Sequence, residues 1–243
     1  MAALQINTQA CSAIAELLEG FIKNRLVFVK GERMIVTLKA LGATDEDLEA
    51  MRSVSNSLQD DPILPIRKST SGRFYFDFEK STLRRLEFQP YTVSVEDDSV
   101  RHDPGQIRRF LEVSFQHRPK LNYETENFVC SLFDVRTVTN RSLVGDPALE
   151  GVHSDGVDFT MTTYLGSENM TSDSAETFVH DNREENGVCW NQALTEYSLG
   201  SHQHRDCLDT LLIVDHEKKH SVSTLHAVNP DYPATRDKLC LSS

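Results

Sequence analysis

From Gly72 onward the apolar residues of this chain come in short runs, too brief for helices and rich in strand formers. Phe74-Tyr-Phe-Asp-Phe78, Tyr91-Thr-Val-Ser-Val95, Phe128–Val138, Val157–Leu165 and Leu211–Val214 are β-branched or aromatic. Clusters of Gly, Pro, Asn and Asp separate them. Strands that follow one another without intervening helices must bury their apolar faces against a second sheet. The pattern therefore predicts a mainly β fold, a double-stranded β-helix (jelly roll, cupin-like).

The first third reads differently. Ile14, Leu17, Leu18, Phe21 and Ile22 recur at helical spacing and predict a helix over 8–24 with one stripe facing a core. Leu26-Val-Phe-Val29 reads as a short strand closed by Gly31. A second helix is expected from Thr44, whose hydroxyl can cap the acidic run Asp45-Glu-Asp47. Asp61-Pro62 and Pro65 mark a loop, and 100–117 is expected to form a further helix with Ile107, Phe110 and Leu111 inward. With 243 residues and no internal repeat or linker, the chain is read as one domain, 1–243. A helical N-terminal layer (1–70) would lie on a jelly-roll core (71–243).

Charge narrows the partners. A net charge of -12 repels phosphate backbones and anionic membranes, so neither nucleic acid nor membrane is expected as a partner. The five cysteines are odd in number and lack a CxxC spacing, which fits a reduced, cytoplasmic protein. No basic-plus-apolar leader and no run of about 18 apolar residues is present.

The chemistry concentrates late in the chain. His153-Ser-Asp155 would place both side chains on one face if it were a strand, and Gly151 and Gly156 permit close backbone approach on either side. A His-x-Asp pair, a distant second His and a late Arg suit a non-haem iron site that uses a 2-oxo acid, because two histidines and a carboxylate leave one face of the metal open. The third ligand is to be sought among His216, His220 and His226, and strand parity does not separate the last two. His204-Arg-Asp206 is a second His-x-Asp; with His202 and Cys207 it lacks a convincing fourth zinc ligand and is expected at the surface.

Taken together, Glu150-Gly-Val-His-Ser-Asp-Gly-Val-Asp-Phe159, Leu165-Gly-Ser-Glu-Asn169, Asp209-Thr-Leu-Leu212, His220-Ser-Val222 and Arg236-Asp237 resemble the 2-oxoglutarate/iron(II) dioxygenases that act on free amino acids, such as the bacterial isoleucine hydroxylases. The resemblance covers about residues 70–243. It implies that His153, Asp155 and His220 are the catalytic metal ligands and that Arg236 holds the distal carboxylate of 2-oxoglutarate. Family members often carry Thr-Pro soon after the Val of the His-small-Val segment. This chain has Ser223-Thr224 there, which keeps His226 as the reserve ligand.

The implied cofactors are Fe(II), 2-oxoglutarate as co-substrate and dioxygen. The implied reaction oxidises the side chain of a small, aliphatic, free L-amino acid, by hydroxylation or by an oxidative cyclisation such as aziridine formation from valine. The substrate ammonium would meet Asp158, and its carboxylate would meet Arg136. Two further readings compete: a non-enzymatic jelly-roll sensor of small molecules, and a zinc hydrolase, which would give Arg236 no work.

Overall fold

In the computed structural model, residues 8–61, 63–77, 82–86 and 127–242 are described. The strand expected at 91–95 and the helix expected at 100–117 lie outside the described residues. The helices are α1 (Thr8–Asn24), α2 (Gly31–Ala40) and α3 (Asp45–Ser53). The strands are β1 (Leu26–Val29), β2 (Gln59–Asp60), β3 (Arg67–Asp77), β4 (Thr82–Leu86), β5 (Asn127–Thr139) and β6 (Phe159–Glu168). They continue with β7 (Thr177–Asp181), β8 (Ser198–His202), β9 (Thr210–Val214), β10 (Lys218–Val222) and β11 (Ala234–Ser242).

All these strand pairings are antiparallel. The larger sheet runs β1-β9-β6-β11-β5-β3-β2, with β4 added beside β3, and the smaller runs β10-β7-β8. Val179 of β7 packs with Leu211 and Ile213 of β9, flanked by Leu26 and Phe28, so the two sheets meet face to face. Each such fully buried side chain is worth roughly 1.5–3 kcal/mol of transfer free energy. This is the jelly-roll arrangement that the strand pattern predicts.

On the outer face of the larger sheet, Leu48 of α3 packs on Leu165 and Leu208, with Met34, Ile35 and Leu38 of α2 and Leu239 of β11 around them. β11 runs in unbroken register with β5, so its side chains alternate. Asp237 and Leu239 face the helices; Arg236 and Lys238 face the gap between the sheets. That alternation decides which late residues can reach a site.

Three local expectations change. Gly31 does not close β1 but opens α2: its N–H donates to Asp209 Oδ1 at 2.8 Å, and an added Cβ would lie 2.1 Å from the Cys207 carbonyl oxygen. The α1 stripe is narrower than its spacing, since Leu18 (53%) and Ile22 (61%) are exposed while Phe21 meets Phe159 at 6.0 Å between ring centroids. The N-terminal segment contributes to the sheet as well as to a helical layer, because the expected strand β1 pairs with β9 at the edge of the larger sheet. The α3 start forms as expected: Thr44 Oγ1 accepts from the Asp47 N–H at 3.1 Å, and Asp47 Oδ2 accepts from the Thr44 N–H at 2.8 Å.

The Gly31 contact yields a test. A Gly31→Ala substitution should cost about 1–3 kcal/mol through overpacking against backbone that cannot retreat. Denaturant unfolding should show the loss as a lower midpoint with an unchanged slope; an unaltered midpoint would mean that this approach is not close in solution.

Candidate metal centre

His153, Asp155 and His220 come together from two segments, with one ligand atom of each lying within 4.8 Å of the others. His153 is not in a strand. It forms an isolated bridge with His220 of β10, the His153 N–H donating to His220 O at 3.0 Å and the His220 N–H to His153 O at 2.8 Å. The imidazoles then sit 4.3 Å apart, centroid to centroid. Strand parity therefore does not bring Asp155 to the same side; a turn does. Gly151 (φ 69°) and Gly156 (φ 74°) take left-handed conformations around it.

Asp215, fully buried at the end of β9, holds that turn. Its Oδ1 accepts from the Asp155 N–H at 3.0 Å, and its Oδ2 from those of Gly156 (2.8 Å) and Val157 (3.2 Å). Strand β6 consequently starts at Phe159 rather than at the expected 157. The His153 ring is oriented by a contact of Nδ1 with the Gly151 carbonyl at 2.8 Å, which leaves Nε2 for a metal. Asp155 Oδ2 accepts from Thr160 Oγ1 at 2.7 Å, which leaves Oδ1 3.6 Å from His153 Nε2. Glu150 Oε1 approaches the same nitrogen at 3.1 Å.

The electrostatics suit a cation. Burial pulls the His153 imidazole down, but the Glu150 and Asp155 carboxylates outweigh it and hold its pKa up at about 9. Burial would raise Asp155, yet hydrogen bonds and charge from His153, with the charge of His220 and the Thr160 hydroxyl, keep it well below the usual carboxylate range. Burial, then the charge on His153, pushes His220 down to about 3. Burial, then the neighbouring Asp155, pushes Asp215 up to about 7. A bound divalent ion would replace the proton that His153 holds here.

Arg236 supplies the second half of the site. Its side chain is 1% exposed, and Nε and both terminal nitrogens lack a hydrogen-bond partner among the described residues. Burial pushes its pKa down from the usual guanidinium value. Enclosing an unpaired cation costs several kcal/mol, so such a group calls for a buried anion. A guanidinium fork matches a carboxylate. The donor set and this orphaned cation together fit a divalent metal with an anionic co-ligand.

Other expected residues lie elsewhere. Arg136 is on the helix-facing side of β5, where its Nε and Nη2 donate to the two Asp237 carboxylate oxygens at 2.6 Å each. It is thus not brought to the triad, and its guanidinium is already engaged. His226 is exposed, on a segment tied to Ser174, and His216 is exposed beside Glu217. Asp158 is half-buried, and its backbone carbonyl accepts from the Asp215 N–H at 3.1 Å. His204, expected at the surface, is fully buried. Glu150, Thr160 and Asp215 have no role assigned from the sequence; Glu150 heads the family-like segment to Phe159 and Asp215 ends the apolar run Leu211–Val214, whereas Thr160 leaves no mark.

Comparison with known proteins adds to this geometry. A family model described as 2OG-Fe dioxygenase matches residues 111–242. The curated bifunctional enzyme flvA of Aspergillus flavus is 38% identical over 254 residues, covering 95% of this chain and 31% of that protein. The chain thus spans about a third of the length of the curated relative it matches. Among solved structures, the Fe(II)/(alpha)ketoglutarate-dependent dioxygenase TqaL is 42% identical with a TM-score of 0.77, covering 97% of this chain and 89% of that one. IDO from Bacillus thuringiensis shares the fold at 14% identity and a TM-score of 0.62, covering 94% of this chain and 97% of that one.

Metal binding should follow this geometry. His220→Ala should abolish stoichiometric Mn(II) binding in calorimetry, whereas His226→Ala should leave it intact. Because the His153 pKa is raised, binding should release a proton. Apparent affinity should then climb about tenfold per pH unit and level off above about pH 9. A pH-independent affinity between 6 and 8 would contradict the assignment of His153.

Proposed function

The chain belongs to the 2OG-Fe dioxygenase family, and from that premise we propose that it oxidises the side chain of a small, free, aliphatic L-amino acid. The observation that carries the reading is the unpaired, buried Arg236 in a fold that also gathers His153, Asp155 and His220. These three residues would hold Fe(II), and Arg236 would take the distal carboxylate of 2-oxoglutarate. Iron held there would supply, with dioxygen and the 2-oxo acid, the oxidising equivalents for the reaction, 2-oxoglutarate leaving as succinate and carbon dioxide. The product would be a hydroxylated amino acid or the result of an oxidative cyclisation, such as an aziridine from valine.

The chain's own groups have definable tasks. Thr160 holds one oxygen of Asp155 and so turns the other toward the metal. The low pKa of His220 keeps its ring neutral and able to ligate at any working pH. An amino-acid substrate needs a carboxylate for its ammonium and a cation for its own carboxylate. Glu150 Oε1 lies 3.1 Å from His153 Nε2, and Asp158 flanks the same turn. Lys238 replaces Arg136 as the cation of choice. It shares the inward face of β11 with Arg236, and its charge is among those lowering His220. A zinc hydrolase would leave Arg236 without a task.

The reading is tested by anaerobic loading with Fe(II), then addition of 2-oxoglutarate, an amino-acid mixture and air. One aliphatic amino acid should raise succinate release and appear in the mass spectrum with one oxygen gained or two hydrogens lost. If no amino acid raises succinate above the uncoupled rate, the substrate class is wrong. Arg236→Met should raise KM for 2-oxoglutarate roughly a hundredfold or more, since it truncates one partner of a buried charge pair. The unliganded variant should be no less stable than the parent, because a buried unpaired charge is removed.

A further inference from the structure

His204 is a buried polar group that neither the triad nor Arg236 explains. It is fully buried, and neither ring nitrogen has a hydrogen-bond partner among the described residues. Phe28 meets it edge-on, 5.1 Å between centroids at 80°. That ring contact supplies neither nitrogen with a hydrogen bond. A buried polar group without a partner costs about 1–3 kcal/mol, so a native position of this kind asks for an occupant.

The loop that carries His204 is tightly held. The buried Asp209 carboxylate accepts the N–H groups of Arg205 (2.9 Å) and Asp206 (3.2 Å) as well as that of Gly31. The Leu208 N–H donates to Tyr164 O at 2.7 Å, and the Tyr164 N–H to Asp209 O at 2.9 Å. Gln203 Nε2 donates to Ser174 O at 2.8 Å from the other side. Strand β6, to which the loop is tied, lies beside β11, pairing Tyr164 with Lys238 and Ser167 with Arg236. The imidazole is thus built into a fixed, fully buried position.

We propose that His204 is a second anchor for the distal carboxylate of 2-oxoglutarate, donating a ring N–H to it beside the Arg236 guanidinium. The assignment rests on the functional reading above and extends it to a residue that the motif does not contain. Both orphans have N–H groups in want of an acceptor. A carboxylate offers about four lone-pair sites on two oxygens, enough for a guanidinium fork and one imidazole N–H. Burial, then the charge on Arg236, lowers the His204 pKa to about 3, so the ring is neutral and carries one N–H donor and one lone pair. A neutral donor adds a hydrogen bond without placing a second cation against Arg236. The arrangement would favour a 2-oxo acid with a carboxylate at its far end over one ending in a methyl group.

The test compares two 2-oxo acids of the same chain length. Mn(II)-loaded protein is titrated calorimetrically with 2-oxoglutarate and with 2-oxopentanoate, which lacks the distal carboxylate. His204→Phe should weaken 2-oxoglutarate roughly ten- to a hundredfold and leave 2-oxopentanoate within about twofold. His204→Asn, which keeps an N–H, should recover part of the loss. Thermal melting should show the ligand-free Phe variant at least as stable as the parent; His204→Leu provides the same comparison if the Phe variant does not fold. Equal weakening of both acids would reduce His204 to packing against Phe28 and overturn the proposal, as would an unchanged affinity for 2-oxoglutarate. A parent protein that binds neither acid would sink the functional reading itself, and a parent that binds while the variant is unaffected would sink the His204 assignment alone.

Discussion

A guanidinium enclosed between two sheets, with no anion beside it among the described residues, is the constraint around which this structure is arranged. The field of a protein with a net charge of -12 does not neutralise it, because the cost is local desolvation. The register of β11 settles the matter: Arg236 points into the gap while its neighbour Asp237 points out and binds Arg136. One residue of slip would exchange the two and remove the cation from the interior. The unbroken pairing of β11 with β5 and its packing through Leu239 hold that register.

The metal ligands are placed by backbone rather than by strand regularity. The paired main-chain bonds of His153 and His220 tie the turn to the smaller sheet, and the three N–H groups on Asp215 tie it to the larger one. A buried carboxylate that accepts three amide protons makes the turn rigid before any ion arrives. The site is thus preorganised where chemistry requires it, with Asp155 negative and His220 neutral.

The fold class was legible because short β-branched runs between turn residues can be buried only as stacked antiparallel sheets. The cap at Thr44 was legible because it is local. α2 was not foreseen. Its start is a glycine that reads as a strand end, and the reason for that glycine, the Cys207 carbonyl, is distant in sequence. The triad residues are nameable from their spacing and from family resemblance, but strand parity does not bring His153 and Asp155 together, since a turn on Asp215 does that work. The same distance effect explains Arg136 and His204. Whether a side chain faces inward depends on register with strands far along the chain, and a polar motif such as His204-Arg-Asp206 carries no mark of burial.

The central claim is that these three ligands and Arg236 together form one metal and 2-oxo acid site. Its most direct measurement is an anaerobic crystal structure with Mn(II) and 2-oxoglutarate. The account predicts the ion on His153, Asp155 and His220, with the far carboxylate of the co-substrate on Arg236. An ion bound elsewhere, or an Arg236 that swings to a protein carboxylate while the 2-oxo acid lies outside the sheets, would contradict it.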